Sequence, residues 1–385
     1  MNPPEHNVVI VGAGPTGLAL GAELKRLGVS QLILDRLPAG ANTSRAVVIH
    51  ARTLEVLESL GIIPELLKEG LVITTFRIRD RDRILASISF KDLETQYPFT
   101  LMLPQDRTEA ILLRRLQSLG GDVQRPREVV SIVPGEDKVQ VQFKAGEELN
   151  TVHAKWVVGC DGMHSVVREQ ASIPFIGGAY DESFVLGDVE MDWPVDREEV
   201  SLFFSDKGLM VVAPLPGNHF RIVATVAQAP PEPSIADIQR IIEERGPETG
   251  VIKIHRMAWS SRFHVHHRVA QMLRKGRILL AGDAAHVHSP AGGQGMNTGI
   301  QDAIALAGAL HDALQQGNDA ALDIWQEKRL KIAQSVVNMT DKMTKMGTAS
   351  STTVKRLRNV VVGIIGHIPF AQHVIAEKLS ELDNR

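Results

Sequence analysis

The tightest constraint on the fold lies within the first 35 residues. A short apolar run, residues 7–11 (NVVIV), is followed at once by Gly12-x-Gly14-x-x-Gly17 and then by a helical pattern from Pro15 to Leu27. Residues 31–35 (QLILD) form a second apolar run ending in Asp35. Continuous apolar runs of this length suit strands buried on both faces of a parallel sheet. The unit therefore reads as strand, glycine turn, helix, strand. Gly12 permits the tight turn, Gly14 lets the backbone approach a pyrophosphate, and Gly17 allows close helix–strand packing. Pro15 and Thr16 open the helix, whose N-terminal N–H groups and dipole favour an anion. Asp35, 23 residues after Gly12, can accept hydrogen bonds from a ribose diol, with Arg36 beside it. The reading is a dinucleotide site, which this motif does not resolve between NAD and FAD.

A second motif bears on that choice. Residues 276–302 read GRILLAGDAAHVHSPAGGQGMNTGIQD. Asp283 ends a buried strand, where a carboxylate can bond a polyol such as a ribityl chain. The loop Pro290–Gly295 leads into a new helix, and the first N–H groups near Gly295, Met296 and Asn297 form an anion site. An anionic reduced flavin would be stabilised there. The third motif is Gly159-Cys160-Asp161-Gly162-x-His164-Ser165-x-x-Arg168 at a strand-to-helix turn. For Arg168 a helix-surface ion pair is an equal alternative.

These three motifs, in this order, resemble the group A FAD-dependent aromatic hydroxylases, which include p-hydroxybenzoate, phenol and polyketide hydroxylases. The resemblance covers roughly residues 7–345, and Ser44-Arg45, Arg52-Thr53-Leu54-Glu55 and Gln105-x-x-x-Glu109 also match. It implies that Asp35 holds the adenosine ribose, Arg45 and Gln105 line the FAD path, and Val129 meets adenine through its backbone. It implies further that Asp161 serves both FAD and NADPH, that Asp283 binds ribityl, and that Pro290 sits where oxygen reacts. Gly295, Met296 and Asn297 would then face the pyrimidine side. The implied activity is hydroxylation of a phenol- or quinol-like ring with O2 and NADPH or NADH, through a flavin C4a-hydroperoxide. A dry pocket is needed to protect that oxidant. Two alternatives stay open: a flavin oxidoreductase acting on a quinone-like or antibiotic substrate without ring hydroxylation, and a flavin-binding protein without turnover. The relatives' extra thioredoxin-like domain is not expected here.

The rest of the chain suggests a discontinuous architecture. The expected fold class is α/β, a Rossmann-type (glutathione-reductase-like) FAD domain with an inserted antiparallel sheet and a helical C-terminus. The FAD domain would comprise residues 1–75, 99–175 and 263–345, the substrate sheet 76–98 and 176–262, and the helical segment 346–385. Arg83–Phe90 alternates Ile84, Ala86, Ile88 and Phe90 against polar residues, the period of a half-exposed strand. Asp106 with Glu109 reads as a capping box. Glu198–Phe204, Leu209–Pro214 and His219–Val226 read as neighbouring strands, and Ser234–Arg245 as a helix. Candidate substrate contacts are Phe203, Met210, Val212, Pro214 and Arg221 from the sheet, with Gly292 and Gly293 from the loop.

Composition narrows the function classes. With 42 basic and 45 acidic residues the net charge is -3, which gives no basis for nucleic-acid binding. The single cysteine, Cys160, excludes an internal disulfide or a CxxC redox pair and suits the cytoplasm. The apolar runs are too short for an integral membrane segment. His264-x-His266-His267 has no acid at a matching spacing, so no metal site is expected. Only Tyr97 and Tyr180 are present, and neither matches the tyrosines that deprotonate hydroxybenzoate. The expected substrate is a larger, apolar, polycyclic phenol or quinol, bound by a monomer or homodimer. Val354 to Leu382 mixes basic residues with an apolar stripe and suits a core-covering helix, a dimer contact or a membrane-surface helix.

Overall fold

The computed structural model describes residues 4–40, 46–348 and 352–385. Strand Glu5–Val11 is central in the first sheet, with Val8, Val9 and Ile10 wholly buried. It pairs in parallel with Gln31–Leu34 on one side and Glu148–Gly159 on the other. Val123–Gln124 and Ile278–Leu280 extend this parallel core outward. The ribbon of Glu128–Pro134 and Val139–Ala145 joins it antiparallel. Helix Pro15–Arg26 packs on Gln105–Ser118 and Gly295–Gln316, so the first and last motifs meet although nearly 280 residues separate them.

The second sheet has eight strands and is largely antiparallel. Its order runs His286–Val287, Lys253–Ala270, Phe175–Asp192, His219–Val226, Gly208–Pro214, Glu199–Ser205, Thr75–Asp80, Arg83–Ser89. One of its strands reaches further than the alternation suggested. Lys253–Ala270 continues past residue 262 and pairs with His286–Val287, so the sheet is stitched directly to the 282–297 segment. A small third sheet, Val48–Ile49, Thr100–Met102 and Leu71–Ile73, lies at the seam between the two. There Val47, Ile73 and Met102 bury against Val200, Ala213 and Leu215.

Local differences from the sequence reading have local causes. Asp106 is not an N-cap; the helix starts at Gln105 with Pro104 before it, and Glu109 accepts from the Gln105 amide at 2.8 Å. The strand Arg83–Ser89 carries a register shift opposite Ile78 and Arg79, so Leu85 is buried and Ile84 is exposed. Helix Ile235–Arg245 carries a capping box that the sequence reading did not name, with Ser234 and Asp237 reciprocally bonded. The chain closes with helices Ala320–Thr348, Thr352–Ile365 and Pro369–Leu379. The final turn then packs back onto the body, where Ser380 O accepts from Arg52 N.

Candidate cofactor and substrate site

Each motif glycine meets a different demand. A Cβ on Gly12 would lie 2.4 Å from Cys160 O, and Gly12 has φ +99. A Cβ on Gly17 would lie 2.0 Å from Gly12 O. Both positions therefore exclude a side chain through packing. Gly14 has nothing within 4 Å, so the space above the helix start is open. Pro15 occupies the first turn, which has no acidic residue and no side-chain cap. That leaves a positive helix end facing open space, which suits a pyrophosphate. Thr16 wedges between loops: a Cβ on Gly282 or Gly299 would come within 2.5 Å of its Oγ1.

Asp35 is fixed by two backbone donors, Ala13 N at 2.7 Å and Leu37 N at 2.8 Å. Arg36 points to solvent. Arg125 was not anticipated. Its Nη2 donates to Ala13 O at 3.1 Å, and its Nε is 3.9 Å from Asp35. No motif marks it; the parallel pairing of Val123–Gln124 with Ile33–Leu34 carries it there. Val129 is buried in the strand that begins just after Arg127 N donates to Asp35 O at 2.7 Å. Gln105 grips residue 46 twice, donating to Ala46 O at 3.0 Å and accepting from Ala46 N at 3.2 Å. Arg45 lies outside the described residues.

Asp161 accepts from Ser165 Oγ at 2.6 Å and Val167 N at 3.2 Å, and burial raises its pKa. Arg168 is not a surface ion pair. It is buried over the Phe175 ring and donates to Ala284 O and Met163 O, at 3.1 and 2.8 Å. It thus ties the Asp161 turn to the Asp283 turn. Asp283 itself is exposed while Gly282, Ala284 and Ala285 around it are buried. Cys160 ends its strand with its thiol pKa pushed up by burial.

The 290–297 loop is held from both sides. Pro290 is exposed and begins the turn Ala291–Gly293. Gly293 has φ +69, and a Cβ there would press on Val48 at 2.9 Å. The Asn297 amide donates to Val48 O and Gly293 O at 2.8 Å each, and its Oδ1 accepts from His50 N at 2.8 Å. Its side chain therefore holds the loop, and its offering to a ligand is backbone. Gly295 and the buried Met296 start a helix with no side-chain cap and no acid in its first turn.

His50, also unanticipated, is fully buried and bonds Gly292 O through Nε2 at 2.7 Å. A carbonyl only accepts, so Nε2 carries the proton, and burial pushes the pKa down to about 4. His288 is likewise pushed down to about 4 by burial. Beneath the loop helix, His286 and Arg329 contact Asp302 at 2.6 and 2.5 Å. Among the described residues no group of three or more His, Cys, Asp or Glu could hold a metal ion.

The sheet contacts need correction. Phe203, Met210 and Val212 share a core with Ile238, Ile241 and Ile242 of helix Ile235–Arg245. They face away from the 290–297 loop, because side chains alternate across a strand. Pro214 continues that same parity. The opposite parity carries Val211, Ala213 and Leu215, which pack near Val48, the neighbour of Gly293. Arg221 also lies on this face. It is 1% exposed and grips Asp188 through both carboxylate oxygens, at 2.7 and 2.6 Å. Beside this pair a cleft of about 490 Å³ opens between the sheet and the start of helix Gln105–Ser118, lined by Asp188, His219, Trp259, Leu215 and Pro104. Gly292 and Gly293 lie at the loop, against Leu379 and Val48.

Comparison with known proteins gives a consistent picture. A family model described as "FAD binding domain" matches residues 5–340. An uncharacterised aromatic compound monooxygenase of Bacillus subtilis (strain 168) is 34% identical over 99% of this chain and 76% of its own length. The 6-methylpretetramide 4-monooxygenase of Streptomyces rimosus is 34% identical over 94% of this chain and 65% of its own length. Among solved structures, the anhydrotetracycline hydroxylase of Streptomyces rimosus superposes with a TM-score of 0.83 at 30% identity, covering 98% of this chain and 76% of the other. The p-nitrophenol 4-monooxygenase of Pseudomonas putida DLL-E4 shares the fold, with a TM-score of 0.87 at 24% identity over 99% of both chains.

Proposed function

Because this chain belongs to the FAD-binding-domain family and is an FAD-dependent aromatic monooxygenase, we propose that it hydroxylates a neutral, largely apolar, polycyclic phenol or quinol, using O2 and NADPH or NADH, in the cytoplasm. The observation that carries the substrate class is the loop-side face of the sheet. Val211, Ala213 and Leu215 offer no polar group, and among the described residues the buried cation on this face, Arg221, is neutralised by Asp188. A carboxylated substrate would lack a free counter-charge on this face, and its desolvation would go uncompensated. Cytoplasmic placement rests on the lone, protonated Cys160.

The residues present fit FAD. The open space at Gly14 and the Asp35–Arg125 pair suit the pyrophosphate and adenosine ribose. Exposed Asp283 suits ribityl hydroxyls, and the uncapped helix at Gly295–Asn297 suits the pyrimidine edge. Bound FAD supplies hydride acceptance and oxygen activation. The protein holds the site dry and in register. Neutral His50 and Asn297 fix the loop carbonyls, and Pro290 with Gly292–Gly293 shapes the face beside it.

The test is a screen of NADPH and NADH consumption with neutral polycyclic phenols against hydroxybenzoates, with products analysed after reaction under labelled O2. We expect the neutral compounds to stimulate turnover and to gain one labelled oxygen atom. Preference for the carboxylates would overturn the substrate class. Cofactor oxidation without oxygen incorporation would overturn hydroxylation.

A further inference from the structure

Helix Thr352–Ile365 is pinned to the body by one face and leaves the other bare. On the inner face the Arg358 guanidinium lies 4.3 Å from the Phe204 ring centre and donates to Met346 O at 3.1 Å. The Asn359 amide donates to Asp80 at 3.0 Å, and a Cβ on Gly366 would meet Ala86 at 2.4 Å. These contacts fix which way the helix faces. Outward it presents Leu357, Val360, Val361, Ile364 and Ile365, with Leu357 63% and Ile364 62% exposed. Their spacing of three and four residues makes a continuous stripe. Phe370, at the start of the next helix, adds a side chain 77% exposed. A contiguous apolar surface of this kind marks an interaction site.

Charge selects the partner. From Lys342 to Ala376 the sequence contains no Asp or Glu, and its Lys and Arg residues are Lys342, Lys355 and Arg356, besides Arg358, which is turned inward, and Lys345, which pairs with Asp341 at 2.8 Å. Elsewhere the chain is acidic on balance, since the whole has 42 basic and 45 acidic residues. A second copy docking by the same face would bring two acid-free, cationic segments together, which is unfavourable in an isologous contact. An anionic lipid surface meets both features, with acyl chains for the stripe and headgroups for the cations. Segments Leu357–Ile365 and Pro369–Leu379 are bent by 98° to one another, and among the described residues no single helix is long and apolar enough to cross a membrane.

We propose that this face is a peripheral docking surface for an anionic membrane, with helix Thr352–Ile365 lying in the plane of the interface. The proposal does not depend on the substrate assignment. It is tested by flotation of the FAD-loaded full chain with vesicles of phosphatidylcholine, with and without phosphatidylglycerol. The expected result is flotation with phosphatidylglycerol vesicles only, abolished by high salt. Leu357→Glu/Ile364→Glu should abolish it, and Lys355→Gln/Arg356→Gln should weaken it by roughly fivefold per charge removed. Retained FAD and unchanged circular dichroism would show that the variants remain folded, and the charge variant stands as a test even if the apolar one misfolds. Absence of flotation at low salt, or flotation indifferent to both variants, would overturn the proposal. So would a wild-type dimer in sedimentation velocity that Leu357→Glu/Ile364→Glu makes monomeric without any vesicle binding.

Discussion

Glu381 and Thr298, 83 positions apart, meet in the buried interior, with Thr298 Oγ1 3.1 Å from the Glu381 carboxyl. Thr298 Oγ1 is also 3.0 Å from Gln294 O. One hydroxyl proton cannot serve both acceptors, so a protonated Glu381 that donates to Thr298 satisfies the group. Gln301 bonds the second carboxyl oxygen. Burial pushes the Glu381 pKa up to about 8, against the opposing pull of Thr298, Arg329 and Gln301. Glu381 also holds left-handed backbone at φ 58, so the last turn of the chain is shaped around this contact.

A raised carboxyl pKa has a defined stability consequence. The folded state holds a proton that the unfolded state releases above its ordinary value of 4.5. The contribution is fully present below about 4.5 and is lost as pH rises through about 8. Glu381→Gln mimics the neutral acid and should flatten this decline in thermal melts across pH. Glu381→Ala removes the partner that Thr298 and Gln301 share and leaves a cavity between them, and it should cost about 1–3 kcal/mol at every pH. Identical pH profiles for wild type and Glu381→Gln would falsify the assignment.

His50 acts on the opposite side of the pH scale. Its pKa is lowered from 6.5 to about 4 by burial, so its contribution is present above 6.5 and is lost as pH falls through about 4. Protonation adds a charge next to Gly292, and the loop should loosen. Released FAD fluorescence during acid titration should therefore rise in that window. His50→Gln, which can still donate to Gly292 O, should shift the release to lower pH, with His288 responsible for what remains. An unshifted midpoint would remove His50 from this role.

Asp283→Ala separates binding from stability. The residue is exposed, so its loss should change the melting free energy of the apoprotein by less than about 0.5 kcal/mol. FAD should nonetheless be lost on gel filtration. Full retention of flavin through the column would argue against ribityl contact.

Asp188→Asn removes the negative charge that Arg221 grips and leaves the Arg221 charge buried without that counter-charge. A loss of about 3 kcal/mol in stability is expected from uncompensated burial. The same change leaves an unneutralised charge on the loop-side face, so KM for a carboxylated phenol should fall while KM for a neutral one should not. Equal effects on both would mean that the pair is structural only.

The parts legible in the sequence were those that local rules govern. Gly12, Gly14 and Gly17 each do what a strand–turn–helix requires, and the helix read over Ser234–Arg245 is present as Ile235–Arg245. What escaped depends on pairing between distant segments. Arg125 reaches Asp35 only through the register of a two-residue strand. Glu381 carries no motif, and only the fold brings it to Thr298. Arg168 reads equally as a surface ion pair or as part of the cofactor turn, and only its packing over Phe175 separates the two. Phe203, Met210 and Val212 turn to the helix-covered face for a related reason. Alternation identifies two faces, but it does not say which face a helix will cover.

That ambiguity yields the sharpest test of the substrate side. Phe203 belongs to the helix-covered core and is wholly buried with Ile238 and Ile242. Phe203→Ala should cost about 3–5 kcal/mol in stability through the cavity it leaves. At temperatures where the variant stays folded, relative KM values across a substrate panel should not change. Val211, one face over and only half-buried, should behave the other way. Val211→Phe fills space on the loop side, so KM should rise most for the largest rings, with FAD retention and melting temperature little changed. The two variants thus exchange signatures, one in stability and the other in specificity. A specificity change from Phe203→Ala with none from Val211→Phe would place the substrate on the helix side of the sheet and overturn the assignment of faces.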